Sequence, residues 1–319
     1  MRAILLRAAL LLAAMSLAVP ASAGTLGAVV ENDSVTPSDR EYTSGVKLFY
    51  VSDEGRAAAL GRALLRAGDG EATRFGVALG QSLFTPSDID APAPPPGERP
   101  YAGWLYSELS VLVSRRSGAL DVLAASIGVV GPAALGEEAQ DTIHGLINAS
   151  RARGWSTQLR NEPALVLSYD RLWRATTSAH GFGLGVSPTA GLSVGNVLTE
   201  ARAGALLRIG WNLGEGYGPA RVRPATPTDG AVGGDAVWSV SLFGGGLGRA
   251  VAHNLFLDGS TFRDSLSVDR KPLTGEAEMG AAIRFRRIEV AARYVWRARE
   301  YETQGRMHEF GGLTLAARF

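Results

Sequence analysis

The sequence predicts an all-β fold, a transmembrane antiparallel β-barrel of about twelve strands, with a short helix in an extracellular loop. Apolar and polar residues alternate along several segments of the chain. These segments run for about 10 to 13 residues, longer than an ordinary strand and suited to a tilted crossing of a bilayer. The last segment ends at Phe319, and a terminal aromatic residue resembles the assembly signal of bacterial outer-membrane proteins. We therefore expect the barrel assembly machinery as a partner during biogenesis.

The first residues have the organisation of a secretory signal peptide. Two arginines precede an apolar stretch over residues 8–17, and Ala21-Ser22-Ala23 matches a cleavage site. A membrane anchor helix is the alternative, but it would be short and is followed by this cleavage signal. We predict a signal peptide over residues 1–23 and one barrel domain over 24–319. The net charge of +1 gives no indication of nucleic-acid binding, and the chain has no cysteine.

Period-two alternation is clearest near the C-terminus. One face carries apolar and aromatic residues (Ile288, Val290, Ala292, Tyr294 and Trp296), and the other carries charged residues (Arg287, Glu289, Arg293 and Arg297). A soluble sandwich and a membrane barrel both alternate in this way. Strand length favours the barrel, as do aromatic residues near strand ends, where girdles are expected: Tyr42, Tyr50, Trp104, Tyr106, Trp173, Trp211, Tyr294 and Trp296.

Counting strands orients every loop. The predicted strands cover residues 25–33, 42–52, 73–81, 103–114, 119–130, 161–174, 180–194, 201–212, 235–247, 274–286, 288–299 and 308–319. If both termini are periplasmic, the exterior loops are 34–41, 82–102, 131–160, 195–200, 248–273 and 300–307. A helix is predicted over 137–149, with Ile143, Leu146 and Ile147 on one face. The periplasmic connections 53–72 and 213–234 are longer than barrels usually have.

Familiar hydrolase motifs are absent or misplaced. The run Gly191-Leu192-Ser193-Val194-Gly195 fits the nucleophile pattern G-x-S-x-G, but it lies at the end of a strand with no helix after it. No thiol is available, and no H-E-x-x-H motif indicates a zinc site. The sequence therefore offers no credible serine or cysteine nucleophile.

Unusual polar motifs instead collect in the predicted exterior loops. They are Glu31-Asn32-Asp33, Tyr42-Thr43-Ser44-Gly45, Arg99-Pro100-Tyr101-Ala102-Gly103, Gly131-Pro132, Gln140, His144, Gly154-Trp155, Gln158-Leu159 and Asn161-Glu162-Pro163. In this order they resemble the outer-membrane lipid A deacylases of the LpxR type, over about residues 28 to 170. The resemblance implies a twelve-stranded barrel that removes the 3′-linked acyloxyacyl chain of lipid A. It also implies calcium dependence and a histidine that activates water, at a site facing the cell exterior.

The residues are compatible with that chemistry. Water is the natural nucleophile, and the pKa of a histidine such as His144 suits it to accept the proton. Calcium prefers oxygen ligands, which Asn32 and Asp33 offer, although neighbours on a strand face opposite sides unless the strand ends or bulges there. We predict His144, Asn32, Asp33 and Thr43 as the catalytic group, with Ca²⁺ at Asn32 and Asp33.

Lipid A or lipopolysaccharide is the expected substrate, within surrounding outer-membrane lipid. We predict Arg99, Tyr101, Gln140 and Arg40 as substrate-binding residues. Basic residues in or beside the predicted exterior loops could pair with phosphate or could merely balance nearby carboxylates: Arg40, Arg99, Arg151, Arg153, Arg160 and Lys271. Two other functions stay open: a non-catalytic transport or structural barrel, and an outer-membrane phospholipase with a serine–histidine pair.

Overall fold

The structure is a computed structural model that describes residues 24–33, 41–147, 151–223 and 236–319. The predicted signal peptide and Arg40 lie outside the described residues. So do the side chains of Leu146 and Ile147, two of the three residues on the predicted apolar face of the helix.

Thirteen strand segments form one antiparallel sheet. They are β1 (Gly24–Asn32), β2 (Glu41–Ser52), β3 (Ala72–Thr85), β4 (Ala102–Ser114), β5 (Leu120–Val130), β6 (Glu162–Leu172), β7 (Ala175–Ala179), β8 (Phe182–Gly195), β9 (Leu198–Trp211), β10 (Trp238–Asn254), β11 (Leu273–Phe285), β12 (Ile288–Arg297) and β13 (His308–Arg318). Both β6 and β7 pair with β8 in one register, so together they form a single interrupted strand. The first strand pairs with the last, which closes a barrel of twelve strands. The predicted fold class is confirmed.

The alternation of side chains separates a lipid-facing surface from a filled lumen. Ile288 and Val290 of β12 are exposed on the outside, whereas Arg293 of the same strand points inward and donates to the carbonyl of Ala220. The predicted girdle is partly wrong, because three of its members point inward: Tyr42, Trp104 and Tyr106. They share their face with lumenal residues, and the Trp104 ring stacks on Tyr106 at 4.2 Å between centroids.

The long connection after β9 enters the barrel. Within it, the backbone of residues 220–223 is held by the wall. The Thr314 hydroxyl donates to the carbonyl of Ala220 (3.0 Å), and the Lys47 ammonium donates to that of Arg223 (3.0 Å). Lys47 also pairs with Glu108 at 2.9 Å. The predicted connection 213–234 is long because its described part enters the lumen and is hydrogen-bonded to the wall there.

Three α-helices accompany the barrel in the described residues: α1 (Ala58–Leu65), α2 (Gly136–Ile147) and α3 (Leu255–Asp258). Two short 3₁₀ helices, Pro132–Ala134 and Trp155–Thr157, lie on either side of α2 in the chain. α1 accounts for the other long connection, and α2 matches the predicted helix within two residues at each end. None of these helices is both long and apolar enough to cross a bilayer. We call the end of the barrel that holds Gly24 and Arg318 the terminal end, and the opposite end the distal end.

Candidate active site

At the distal end, the loop between β5 and β6 folds over the outside of the wall. Leu83 of β3 and Gly103 of β4 alternate with lumenal residues and therefore face outward. A β-carbon on Gly136, the first residue of α2, would lie 3.1 Å from Leu83 Cδ2. A β-carbon on Gly103 would lie 3.3 Å from the Cα of Gly136. The lack of side chains at both glycines lets α2 begin in direct contact with the barrel wall.

Trp155 fixes this loop. Its ring is buried, packs 5.2 Å from the Tyr101 ring, and donates through Nε1 to Gln140 Oε1 at 2.6 Å. Gly154 leaves room for the Tyr101 ring, which a β-carbon there would overlap. The structure thus brings Tyr101 and Gln140 together, two of the predicted substrate-binding residues. Their contacts also show what the Gly-Trp motif does, because it joins α2 to the start of β4.

One face of α2 looks toward the barrel. Gly136, Gln140 and His144 follow one another at intervals of four residues and are all buried, whereas Thr142 and Gly145 are exposed. Residues four apart lie on the same helix face. His144 is 4% exposed, so its imidazole is buried at the face of α2 that is turned to the wall.

Asn32, Asp33 and Thr43 lie at the distal ends of β1 and β2. β1 ends at Asn32, and the next residue, Asp33, is fully buried. Asn32 Nδ2 donates to the carbonyl of Thr43 at 3.0 Å. The Thr43 hydroxyl is 2.6 Å from the Thr85 hydroxyl on the outward face of β3. The strand end that the sequence argument required at Asn32 is present.

This donor set fits a hard cation. Ca²⁺ accepts carboxylate, amide and backbone carbonyl oxygens together. The Asp33 carboxylate, the Asn32 side chain and the carbonyl of Thr43 provide those three kinds of oxygen at one strand end. Within the described ranges, no three His, Cys, Asp or Glu residues are close enough to hold a metal ion. A cation here would therefore need neutral oxygen ligands as well as Asp33, which calcium accepts and zinc in proteins does not favour.

Arg99 lies apart from that group, on the lumenal side of the rim. It is fully buried, stacks over the Phe84 ring, and pairs with Glu41 at 3.4 Å and Glu300 at 3.5 Å. Burial would raise the pKa of Glu300, but Arg297, Arg99 and other nearby arginines hold it below its usual value. The contacts of Arg99 are those of a structural ion-pair cluster.

Two other predicted phosphate partners have carboxylate neighbours. Arg151 lies 3.6 Å from Asp141, and Lys271 lies 2.6 Å from Glu302. Arg151 is largely exposed, so its pairing with Asp141 is weak. For both side chains, balancing a carboxylate is the role that the structure describes.

The remaining sequence motifs lie in structural roles. His180 occupies the tight turn between β7 and β8 at the terminal end. His253 and His308 each contact a backbone carbonyl, those of Asn196 and Tyr42. Ser193 of the G-x-S-x-G pattern lies in β8, where its hydroxyl contacts the Ser168 hydroxyl at 2.8 Å and accepts from Arg202.

Thr85 and Gly136 belong to the site but were missed by sequence reasoning. Thr85 carries no motif; only its place at the distal end of a longer β3 indicates a role. Gly136 directly precedes the predicted helix, and the only indication of its role is that glycine is small enough for α2 to contact the wall there. Both are recognisable only once the neighbouring strand or helix is known.

A closed antiparallel barrel with an apolar outer surface belongs to the class of bacterial outer-membrane β-barrel proteins. Within that class, the chain belongs to the family described as outer membrane protein LpxR, whose model matches residues 4–319. The sequence resemblance to this family is confirmed.

A solved structure supports this fold. The chain is similar to LpxR from Salmonella typhimurium, with 21% identity, 92% of this chain and 100% of that chain covered, and a TM-score of 0.76. The β domain of the Bordetella autotransporter BrkA (9% identity, 93% and 100% covered) gives a TM-score of 0.47. The COG4313 outer membrane channel from Pseudomonas putida F1 has 12% identity, with 95% of this chain and 97% of that chain covered, and a TM-score of 0.44. No curated protein sequence matches the chain.

Proposed function

We propose that this protein is a lipid A 3′-O-deacylase that hydrolyses an acyl ester of lipopolysaccharide at the exterior face of the outer membrane. The observation that carries the proposal is that the polar residues of the candidate site lie on the outward side of the barrel wall. Thr43 and Thr85 meet on the outward side of the barrel wall, and α2, which carries His144, begins against the outward side of β3 and β4. A site on this side of the wall would be approached from the membrane beside the barrel and not through the lumen.

The surface next to the site suits a lipid. Further along β3 and β4, the outward residues Leu79 and Leu109 are exposed and would contact acyl chains. An amphiphile resting on this wall would place its chains along the apolar strands and its ester linkages near the polar distal rim. Because lipopolysaccharide occupies the outer leaflet, the proposal requires the distal end to face the cell exterior.

His144 is proposed as the general base. Its neutral imidazole takes a proton from water as the water oxygen attacks the ester carbonyl. The bond from the carbonyl carbon to the sugar oxygen then breaks, and the proton passes to that oxygen, which leaves as a hydroxyl. The products are the free acyloxyacyl acid and the 3′-hydroxyl of the sugar. Burial of His144 on the face of α2 that is turned to the wall limits the motion of its imidazole.

Asn32, Asp33 and Thr43 are proposed to hold Ca²⁺. A bound calcium ion would polarise the ester carbonyl and offset the negative charge that develops on its oxygen. The chain's own contribution is to fix the ligands. The amide of Asn32 is oriented by its hydrogen bond to Thr43, and the Thr43 side chain is held by Thr85.

The alternatives receive less support from the described contacts. A transport barrel needs an open lumen, and here residues 220–223 are hydrogen-bonded inside it. A phospholipase of the serine–histidine kind needs an accessible serine. Ser193 is buried and faces the lumen, beside Ser168 and Arg202.

The histidine proposal is tested with two matched variants in purified protein. His144→Asn removes the base but keeps a polar side chain, and His180→Asn makes the same change in an exposed turn at the other end. Mass spectrometry of lipid A should show loss of the 3′-acyloxyacyl chain with wild type and His180→Asn. We expect His144→Asn to lower the rate by at least about 100-fold. Wild-type activity of a folded, heat-modifiable His144→Asn barrel would refute the assignment.

The metal proposal is tested by chelation. Removal of calcium should stop turnover, and added Ca²⁺ should restore it. Mg²⁺ should not, because it demands a tighter octahedral shell. Asp33→Asn should raise the calcium concentration needed for half-maximal activity. Restoration by Mg²⁺ alone, or an unchanged calcium requirement in Asp33→Asn, would contradict a calcium site at Asp33.

A further inference from the structure

Helix α1 lies outside the barrel at the terminal end. Thr73 of β3 and Val113 of β4 are paired residues that face outward by alternation, yet they are 3% and 0% exposed. α1 packs against these two strands, and a β-carbon on Gly61 would lie 2.7 Å from Thr73 Cγ2. The helix therefore covers the outer wall where it meets the bilayer surface.

The hydrogen bonds at the end of α1 hold it in this position. Arg115, in the turn between β4 and β5, donates to the carbonyl of Leu65 at 2.6 Å and pairs with Glu71 at 2.8 Å. The backbone N–H of Gly68 also donates to Glu71, at 2.9 Å. Together these bonds tie the C-terminal end of α1 to the barrel.

The surface of α1 that does not contact the wall carries both exposed leucines and exposed arginines. With Gly61 facing the wall, the periodicity of 100° per residue places Leu60 and Leu64 on one flank and Arg62 on the other. Arg66 follows the helix as its C-cap residue, in the left-handed conformation. Leu60 and Leu64 are 51% and 54% exposed, and both arginines are exposed. Two neighbouring leucines in water on a short helix are unfavourable, because each leaves apolar surface unburied.

The surroundings indicate what covers these leucines. On the same two strands, the outward residues Val77 and Leu109 are 39% and 63% exposed and form part of the lipid-facing surface. Val77 lies four residues along β3 from Thr73, or about 13 Å. α1 and its exposed leucines thus lie beside the lipid-facing surface of the same two strands. The arginine flank matches the negative charge of phospholipid phosphates.

We propose that α1 is an interfacial helix that inserts Leu60 and Leu64 into the membrane leaflet at the terminal end and binds anionic phospholipid through Arg62 and Arg66. In this position α1 would set how deeply the barrel sits in the bilayer. The inference is independent of the catalytic proposal, since it concerns the opposite end of the barrel.

The absence of cysteine allows a direct test with single labels on the full chain in vesicles. Leu64→Cys and Ala63→Cys carry the same fluorophore one residue apart, and Asp69→Cys labels the exposed loop after α1. With lipids that carry a quencher just below the headgroup, we expect the Leu64 label to be quenched about 3-fold more than the Ala63 label. Equal quenching at positions 64, 63 and 69 would overturn insertion.

The proposed binding of anionic phospholipid is tested by changing the lipid composition of the vesicles. Quenching of the Leu64 label should increase when phosphatidylglycerol replaces part of the phosphatidylcholine. That increase should disappear when Arg62→Gln and Arg66→Gln are combined in the labelled protein. An increase that persists in this variant, or no increase in the protein with both arginines, would refute recognition of anionic lipid.

Discussion

The contact of α2 with the barrel wall predicts the effect of a single methyl group. In Gly136→Ala, the new β-carbon would lie 2.8 Å from Cη2 and 2.9 Å from Cζ3 of Trp155. Ordinary contact begins at 3.4 Å, so the ring or the helix must move by about 0.6 Å. The Trp155 ring is buried against Tyr101, and the new β-carbon would also lie 3.1 Å from Leu83 Cδ2 of the wall. We therefore expect α2 to move away from the wall and carry His144 with it.

We expect Gly136→Ala to destabilise the contact of α2 with the wall, because the cost of overpacking exceeds the gain in helix propensity. Overpacking of this kind costs about 1–3 kcal/mol, whereas alanine in place of glycine returns at most about 1 kcal/mol of helix propensity. Displacement of a catalytic group by about 1 Å can lower a rate about 100-fold. We expect Gly136→Ala to reduce lipid A deacylation about 10- to 100-fold, measured as the initial rate by mass spectrometry, with the barrel still folded.

Gly145→Ala is the matched control. It makes the same change in the same helix, but no described atom lies within 4 Å of the new β-carbon. Its activity should equal that of wild type. Should folded Gly136→Ala also deacylate at the wild-type rate, the close seating of α2 would not determine the geometry of the site.

Two further predictions concern charges outside the catalytic group. Arg99→Gln leaves the buried Glu41 and Glu300 without this cation and should lower the free energy of unfolding in urea by about 3–5 kcal/mol. The exposed Arg151→Gln is the control and should change the free energy of unfolding by less than about 0.5 kcal/mol. Equal effects of the two substitutions would contradict a structural role for Arg99. The Gly68 N–H and the Arg115 guanidinium hold the pKa of Glu71 below its usual value. Glu71 therefore stabilises the end of α1 at neutral pH and ceases to do so as the pH falls through its lowered pKa. Hydrogen-exchange protection of residues 66–71, corrected for the intrinsic exchange rate at each pH, should decrease on acidification in wild type but not in Glu71→Gln.

The strand count was predictable because alternation and turn positions repeat along the chain. β12 shows why: its outward and inward residues divide as the sequence predicted, and this division requires no knowledge of its neighbours. Parity then places Asn32, Thr43 and His144 at one end. The aromatic girdle failed for Trp104 and Tyr106 because closeness to a strand end does not determine the face. Both share the face of Glu108, a charge that belongs in the lumen.

The side of the wall on which the site lies was not predictable from loop assignments. Loop parity says that α2 is at the distal end, but it does not distinguish a loop over the lumen from one over the outer wall. Contacts of Gly136 with Leu83 and Trp155 decide this, and they depend on side chains far apart in sequence. The same holds for Arg99, whose motif predicted phosphate binding but whose neighbours in space are two carboxylates.

A bulge in β2 explains how one wall supports two different environments. Tyr42 pairs with Phe84 and Ser44 with Leu83, so β2 has one extra residue, Thr43, at this point. Tyr42 and Phe84 face the lumen, while Leu83 faces outward. In an unbroken strand Thr43 would share the lumenal face of Gly45, but the extra residue lets its hydroxyl reach Thr85 on the outside. Bulges re-aim side chains beside active sites. Here the bulge also presents the Thr43 carbonyl to Asn32, so both groups proposed to hold calcium on β1 and β2 depend on it.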